Sequence, residues 1–286
     1  MTLFRCALGA AALAMAAPAA AADSAEIFEL PSVNVVGTAP LPGFGTPLRD
    51  VPANVQIFDN RLFARMRSLT LTQFLDLNAN SVGAASGQGN AFQQSLNFRG
   101  FAASPLLGTP QGVSVFQDGV RINEAFGDVV NWDLLPRSAI STVQLIPGSV
   151  PAFGLNTLGG ALAIFTKSGA QYPGLAVEAS GGMFGRRALE FEYGAATAHL
   201  DAFATGNLSD DDGWAQHNAS RVRQFFGKMG WEDDRFDLDV SLTLADNALH
   251  GAQTLPLSFL DRPRESYTYP DLNQIRLAFM VAKGSR

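Results

Sequence analysis

The chain has few of the residues that build disulfides, metal sites and catalytic centres. Its 286 residues contain one cysteine, Cys6, and three histidines. His199, His217 and His250 lack metal-ligand spacing, and neither a zinc-protease HExxH motif nor a phosphate-binding P-loop is present. The sequence therefore predicts no metal, no cofactor and no enzymatic activity.

Long apolar runs and an excess of positive charge are also missing. No stretch of 18 charge-free apolar residues follows the N-terminus, which excludes a protein built from several membrane-spanning helices. The formal net charge is −6 and no basic stripe is present. Since binding to nucleic acid depends on such a stripe, the sequence excludes nucleic acid as a partner.

The first 22 residues have the pattern of a secretory signal peptide. A short basic start ending at Arg5 precedes an apolar run over 6–17, and Ala20-Ala21-Ala22 before Asp23 is a cleavage pattern. A buried alanine-rich helix is the alternative. Cleavage would remove Cys6, so we expect an exported protein without disulfides that is stabilised by packing and strand pairing.

Residues 97–167 have the pattern of short strands separated by glycine and proline turns. Residues 112–123 contain two apolar segments joined at Asp118-Gly119, which predicts a hairpin. Residues 140–146 have strand character, and Pro147-Gly148 is expected to end that strand. Upstream, we expect a strand over 55–59, a helix capped by Asp59 or Asn60, a second helix over 70–77, and a loop over 79–90.

Four motifs in this region resemble the plug domain of TonB-dependent outer-membrane receptors, in the family's order and spacing. They are Asn97-Phe98-Arg99-Gly100-Phe101, Val115-Phe116-Gln117-Asp118-Gly119-Val120, Val143-Gln144-Leu145-Ile146-Pro147-Gly148-Ser149 and Asn156-Thr157-Leu158-Gly159-Gly160-Ala161-Leu162. The resemblance implies structural roles for Asn97, Arg99, Gly100, Asp118, Gly119, Gly148, Gly159 and Gly160. It also implies an α+β plug over 51–170, with some loops at the external mouth.

Residues 23–50 contain prolines and glycines without helical period, which predicts an extended, mobile segment. A β-prone patch inside it is suited to adding a strand to the sheet edge of a partner. By resemblance this patch is the TonB box, gripped by the periplasmic energy transducer TonB. Its candidate residues are Leu30, Val33, Asn34, Val35, Val36, Gly37 and Thr38. An ordinary first strand of the plug is the alternative.

From Gly174 onward the apolar residues alternate with a period of two. Leu189, Phe191 and Tyr193, for example, alternate with Glu190 and Glu192. About six such strands over 171–286, joined alternately by short and long connections, are typical of a transmembrane β-barrel. A soluble sandwich also alternates, but aromatic residues near the strand ends favour the membrane. These aromatic residues are Phe184, Trp214, Trp231, Tyr267 and Tyr269.

Individual residues of these strands carry further expectations. We expect Glu190, Glu192, Asp237 and Asp239 to line the interior. Phe203 and Phe226 break the alternation, and the last strand has Ile275, Leu277, Phe279 and Val281 on its apolar side. We expect Asp210-Asp211-Asp212 to form the solvated tip of a long loop, and Arg99 to form a structural ion pair.

The resemblance implies TonB-dependent active transport of a scarce nutrient across the outer membrane. An iron–siderophore complex is the commonest substrate by family, and the plug gates a barrel of about 22 strands. Six strands cannot close such a barrel, so we expect the N-terminal part of a longer receptor. The alternative is a fragment that serves only as a binding or surface-structural protein.

Overall fold

The computed structural model describes residues 35–36, 46–47, 53–86, 89–149, 153–233, 235–251, 256–265 and 271–285. Strand β1 (Val35–Val36) pairs antiparallel with β2 (Thr46–Pro47). The predicted signal peptide and most of the segment 23–50 lie outside the described residues. Within the described ranges, no helix is long and apolar enough to cross a membrane.

Two short helices follow strand β3 (Gln56–Asp59). Helix α1 (Asn60–Met66) begins where the side chain of Asp59 accepts a hydrogen bond from the Leu62 amide, and helix α2 (Leu71–Asn78) is capped in the same way by Thr70. The strand, both helices and the Asp59 cap were predicted from the sequence and are confirmed.

The main sheet of the plug has five strands in the order β3-β9-β10-β7-β8. Its further members are β7 (Val113–Gln117), β8 (Val120–Arg121), β9 (Ile140–Pro147) and β10 (Gly160–Thr166). β7 and β10 run parallel, whereas β9 runs antiparallel to both of its neighbours. The predicted hairpin between β7 and β8 is confirmed. β9 is longer than expected at its end, because Pro147 still lies opposite Gly160.

Apolar side chains fill both faces of this sheet. The helices pack on one face, where Phe74 and Leu75 meet Leu145 and Leu162, all fully buried. The opposite face carries a smaller cluster around Phe116 and Ile146. The 3₁₀ helices Trp132–Leu134 and Arg137–Ala139 connect β8 to β9.

A second plug sheet has three strands, β4 (Val82–Ala85), β5 (Ser95–Phe98) and β6 (Phe101–Ala103). β4 corrects the expectation that 79–90 is entirely loop. The segment pairs with β5 through its backbone, which its small residues permit although they give no apolar alternation. β5 and β6 form a hairpin whose turn, Arg99-Gly100, has positive φ at both residues (53° and 89°), as a type I′ turn requires.

The C-terminal part of the chain is a six-stranded antiparallel sheet, which we call the wall. Its strands lie in sequence order: β11 (Gly174–Gly181), β12 (Arg187–Ala196), β13 (Leu200–Asp211), β14 (Ser220–Glu232), β15 (Asp237–Gly251) and β16 (Asp271–Ser285). Short connections at 197–199 and 233–236 define its turn end. Longer ones at 212–219 and 252–270 define its loop end.

The wall strands extend further toward the loop end than the alternation predicted. Asp210 and Asp211 belong to β13, where they pair with Arg221 and Ser220 of β14. The expectation of a solvated loop tip at these two aspartates was therefore wrong, because polar residues can continue a strand as long as the backbone ladder does.

One face of the wall lies against the plug, and we call it the inner face. Phe203 and Phe226 lie on it, and both pack on Ala139. These two aromatic residues broke the predicted alternation because they contact the plug.

On β16, the two residues of the apolar set whose side chains the structure describes, Phe279 and Val281, lie on the inner face. Phe279 is opposite Thr243 and Val281 is opposite Ser241, and directly opposed residues share a face of a sheet. Met280 instead lies on the outer face and is exposed. The alternation therefore predicted the strand correctly. The expectation that the polar side of each wall strand lines the interior was wrong for β16, because Phe279 and Val281 lie on the inner face.

The outer face of the wall carries an apolar band. The cross-strand row Phe191, Gly206, Phe225, Leu244 and Ala278 is one example. From Leu208 to Leu200 on β13 the band extends roughly 26 Å along the strand. Trp231 lies opposite Leu200 at the turn end. The predicted aromatic residues Tyr267 and Tyr269 lie outside the described residues.

Candidate functional site: the contact between plug and wall

The contact between plug and wall is built mainly from polar and charged side chains. At the loop end, the side-chain Nδ2 of Asn90 donates hydrogen bonds to Ser220 Oγ (2.9 Å) and to the His250 carbonyl (2.7 Å). Phe92 packs beside it on Val222 and Leu249. This plug loop is therefore fixed to the ends of β14 and β15.

A buried carboxyl group lies in the middle of the contact. Asp133 is 2% exposed, and Asn247 Nδ2 donates to its Oδ2 and to its backbone carbonyl, both at 2.9 Å. Gln224 Nε2 also donates to that carbonyl. Asp133 Oδ1 has no partner among the described residues. Burial raises the pKa of Asp133 above its ordinary value of 3.8, and the Asn247 hydrogen bond opposes this effect.

The 3₁₀ helix Arg137–Ala139 supplies the next two contacts. Arg137 Nη2 lies 3.0 Å from Glu190 Oε2, and the hydroxyl groups of Ser138 and Thr205 are 2.6 Å apart. Arg137 and Glu190 are each less than one-fifth exposed. Glu190 was predicted to line the interior, and it does so as the partner of a plug cation.

Two lysines hold the half of the contact nearer the turn end. Lys167 Nζ lies 2.6 Å from Glu192 Oε2. Lys228 Nζ lies 3.6 Å from both Asp118 Oδ2 and Asp239 Oδ2, and its side chain is only 9% exposed. The tip of the β7–β8 hairpin is thus connected through one buried cation to two wall strands.

The predicted motif residues occupy three separate places. Asp118 and Gly119 form the hairpin turn, with φ of 47° and 86°, and Asp118 Oδ1 also accepts a hydrogen bond from the Thr166 amide (2.9 Å). Gly148, Gly159 and Gly160 come together at the other end of β10, where the Gly148 amide donates to the Gly159 carbonyl (3.0 Å). At Gly160, a Cβ atom would lie 2.3 Å from the Ile146 carbonyl oxygen.

The third place is the β5–β6 hairpin. Asn97 and Arg99 are both exposed there. No carboxylate of the described residues forms an ion pair with Arg99, so the expectation of a structural ion pair was wrong within that part of the chain.

Of the candidate TonB-box residues, the structure describes the backbone of Val35 and Val36 only. They lie opposite Pro47 and Thr46 in the β1–β2 pair. Leu30, Val33, Asn34, Gly37 and Thr38 lie outside the described residues. The role of the patch stays a prediction.

Sequence reasoning missed Lys228 and Asp133. One signal for Lys228 was present: it has the same parity along β14 as Phe226 and Gln224, so it had to share their face. Asp133 gave no comparable signal, because it lies in the irregular segment between β8 and β9, which has no sequence period. Among the described residues, no three His, Cys, Asp or Glu side chains are grouped as a metal site requires.

Comparison with known proteins defines the class of this structure. Residues 47–161 match the family model of the TonB-dependent receptor plug domain. Residues 47–161 therefore form a plug domain of that family, and antiparallel strands like those of the receptor barrels follow it. Members of this family are transport receptors and not enzymes. Comparison with curated proteins gives no match.

Three solved receptors share the fold. The ferric citrate transporter FecA, in its unliganded form, has a TM-score of 0.63 at 14% identity over 82% of this chain and 37% of its own. The ferric yersiniabactin uptake receptor FyuA from Yersinia pestis gives 0.58 at 13% over 81% and 37%. The ferripyoverdine receptor of the outer membrane of Pseudomonas aeruginosa, bound to ferripyoverdine, gives 0.58 at 14% over 75% and 28%. The chain therefore spans 28–37% of the length of these receptors.

Proposed function

We propose that this chain is the plug and part of the barrel of a TonB-dependent importer in the outer membrane, and that it acts as a gate and not as an enzyme. In this arrangement the turn end of the wall faces the periplasm and the loop end faces outward. The apolar band on the outer face supports the proposal, since its length along the strand suits the hydrocarbon layer of an outer membrane.

The observation that carries the proposal is the polar nature of the contact between plug and wall. A gate must exchange that contact for water each time it opens. When the contact opens, its ion pairs and hydrogen bonds are replaced by interactions with water, so each contributes only about 1 kcal/mol net to the stability of the closed arrangement. Buried apolar area gains no comparable interaction with water when it is exposed. Two small apolar clusters between plug and wall are exceptions. One contains Ala139, Phe203 and Phe226, and the other contains Phe92, Val222 and Leu249.

TonB is the proposed partner, and the patch over 30–38 is its proposed binding segment. The β1–β2 pair within or near this patch contains only two residue pairs. A ribbon that short is marginal by itself, so a partner's sheet edge competes with it readily. The resulting pull on the plug biases an equilibrium between closed and open arrangements.

The proposed substrate is a ferric siderophore. The support comes from the similar receptors, which are a ferric citrate transporter, a ferric yersiniabactin uptake receptor and a ferripyoverdine receptor. The chain spans only part of the length of those receptors.

The test is uptake of radioactive ferric siderophore by cells that make the full-length protein as their sole receptor. Deletion of residues 30–38 is expected to abolish energy-dependent uptake while surface binding of the siderophore persists. An uncoupler that collapses the proton-motive force should reduce wild-type uptake to the same level. Uptake that survives the deletion would refute the TonB-box assignment. If the protein binds the chelate but shows no energy-dependent uptake, the result would instead support the alternative of a protein that serves only in binding.

A further inference from the structure

Three arginines and one aspartate are grouped on the outer face of the wall, at its loop end. Arg187, Asp210 and Arg221 lie directly opposite one another on β12, β13 and β14. Opposed residues share a face, and neighbouring strands are about 4.8 Å apart. Arg223 lies two residues along β14 on the same face and opposite Leu208. We call these four residues the outer basic row.

The aspartate of the row is already occupied by Arg223. Both Asp210 carboxylate oxygens accept from Arg223 Nη2 at 2.9 Å, and Arg223 Nη1 donates to the carbonyls of Ser209 and Val222. Arg187 reaches Asp210 only at 4.0 Å, with a side chain that is 80% exposed. Three positive charges therefore share one negative charge.

The side chain of Arg221 has no ion pair or hydrogen bond within the part of the chain that the structure describes. Its guanidinium group is exposed beside Asp210, whose oxygens are already engaged. Asp246 also lies on the outer face and lines the same cleft as Arg223, so the three arginines have two carboxylates near them. The row thus retains an excess of positive charge.

The apolar band begins directly below the row. Leu208, Phe225, Leu244 and Ala278 line a shallow cleft of about 550 Å³, together with the polar residues Arg223, Gln224 and Asp246. Leu208, Phe225 and Leu244 are each more than one-third exposed. Arg221 lies two residues from Arg223 on the same face of β14. It has no carboxylate partner among the described residues, and its position next to a surface for hydrocarbon is suited to the interface between lipid and water.

We infer that the outer basic row binds the phosphate monoester headgroup of an anionic lipid in the outer leaflet, with an acyl chain in the cleft below. A guanidinium group presents a planar fork that matches phosphate oxygens. The two guanidinium groups available for this are those of Arg221 and of Arg187, which is 4.0 Å from Asp210 and is 80% exposed. The continuity of the row with the apolar band favours a lipid over a soluble anion. This inference rests on the proposed position in the outer membrane.

The test uses full-length protein inserted in three kinds of vesicle: phosphatidylcholine alone, phosphatidylcholine with bis-phosphorylated lipid A, and phosphatidylcholine with lipid A stripped of its phosphates. After mild detergent extraction, the lipid A retained per protein is counted by mass spectrometry. The variant is the double substitution Arg187→Gln with Arg221→Gln. The control is Arg235→Gln, which removes an exposed arginine from the turn end of the same sheet. Arg223 is left intact because its side chain donates hydrogen bonds to backbone carbonyls of β13 and β14.

Wild type and Arg235→Gln are expected to retain phosphorylated lipid A, and the double variant to retain several-fold less, with an unchanged unfolding temperature in phosphatidylcholine alone. Equal retention by the double variant, or equal retention of the dephosphorylated lipid, would overturn the lipid site while leaving the transport proposal intact. Release by added inorganic phosphate at low concentration would show a soluble-anion site instead. Failure of the wild type to insert in any vesicle would refute the membrane placement itself.

Discussion

The interior of the plug and its contact with the wall are stabilised in different ways. Inside the plug, Phe74 stacks on Phe63 with ring centroids 3.8 Å apart and lies edge-on to Phe58. At the wall, Arg137, Lys167 and Lys228 meet carboxylates. The first kind of contact depends on the exclusion of water, and the second has water as a substitute partner.

This difference teaches how one chain can keep a domain folded and still let it move. The main apolar core consists of plug residues alone, so we expect it to hold the plug together whether or not the plug touches the wall. Polar interfaces between domains are typical of parts that shift relative to each other. Changes inside the plug should therefore affect folding, whereas changes at the wall should affect how firmly the folded plug is held.

The largest expected effect comes from Phe74→Ala. Phe74 is fully buried between two other aromatic rings, so removing its ring should lower the free energy of unfolding of the plug by about 3–5 kcal/mol. Urea unfolding followed by hydrogen exchange of plug amides measures this. Leu77→Ala is the control on the same helix, because Leu77 is exposed and its loss should change stability by less than about 0.5 kcal/mol.

The second effect should appear at the wall. Lys228→Met leaves the buried carboxylate of Asp118 and the partly buried carboxylate of Asp239 without their cation, which should weaken plug attachment by about 3 kcal/mol. Hydrogen exchange should then quicken in β7 and β8 while the helices keep their protection. Arg262→Met, which removes an exposed ion pair with Glu265, is the control. Equal loss of protection in core and hairpin would break the distinction between the two regions.

The sequence predicted much of the plug and of the wall strands, because both depend on local signals. Asp59 caps the first helix where expected, the second helix lies within one residue of its expected bounds, and Asp118-Gly119 turns a hairpin. The alternation around Phe191 placed the wall strands. By contrast β4 went unrecognised, because Val82–Ala85 is a strand only through its pairing with β5.

The contact between plug and wall could be predicted only from one side. Glu190 and Glu192 were expected on the interior because their parity on β12 opposes the apolar residues. Their partners Arg137 and Lys167 come from irregular plug segments, whose position follows from the packed fold and not from a period in the sequence. For the same reason Phe226 departed from the expected alternation, although its side chain packs against Ala139 of the plug.

The third prediction concerns pH. Burial raises the pKa of Asp133 above 3.8, so above that value the folded state binds more protons than the unfolded state. The free energy of unfolding should therefore fall as pH rises through the folded-state pKa. Asp133→Asn should remove this part of the pH dependence and leave the Asn247 contact region folded. Urea unfolding over a pH series, with wild type and variant in parallel, measures it. Parallel curves for the two proteins would contradict the assignment.

The smallest effect is expected at an ion pair between plug and wall that is exposed to solvent. Arg67 Nη1 lies 3.7 Å from Glu178 Oε1 on β11, with both side chains largely exposed (72% and 46%). Since exposed ion pairs contribute only about 0–1 kcal/mol, Arg67→Gln should leave plug attachment almost unchanged, and added salt should erase any residual difference. Hydrogen exchange of β7 and β8, compared with Lys228→Met under the same conditions, measures this. A loss as large as that caused by Lys228→Met would mean that burial does not decide which ionic contacts hold the plug.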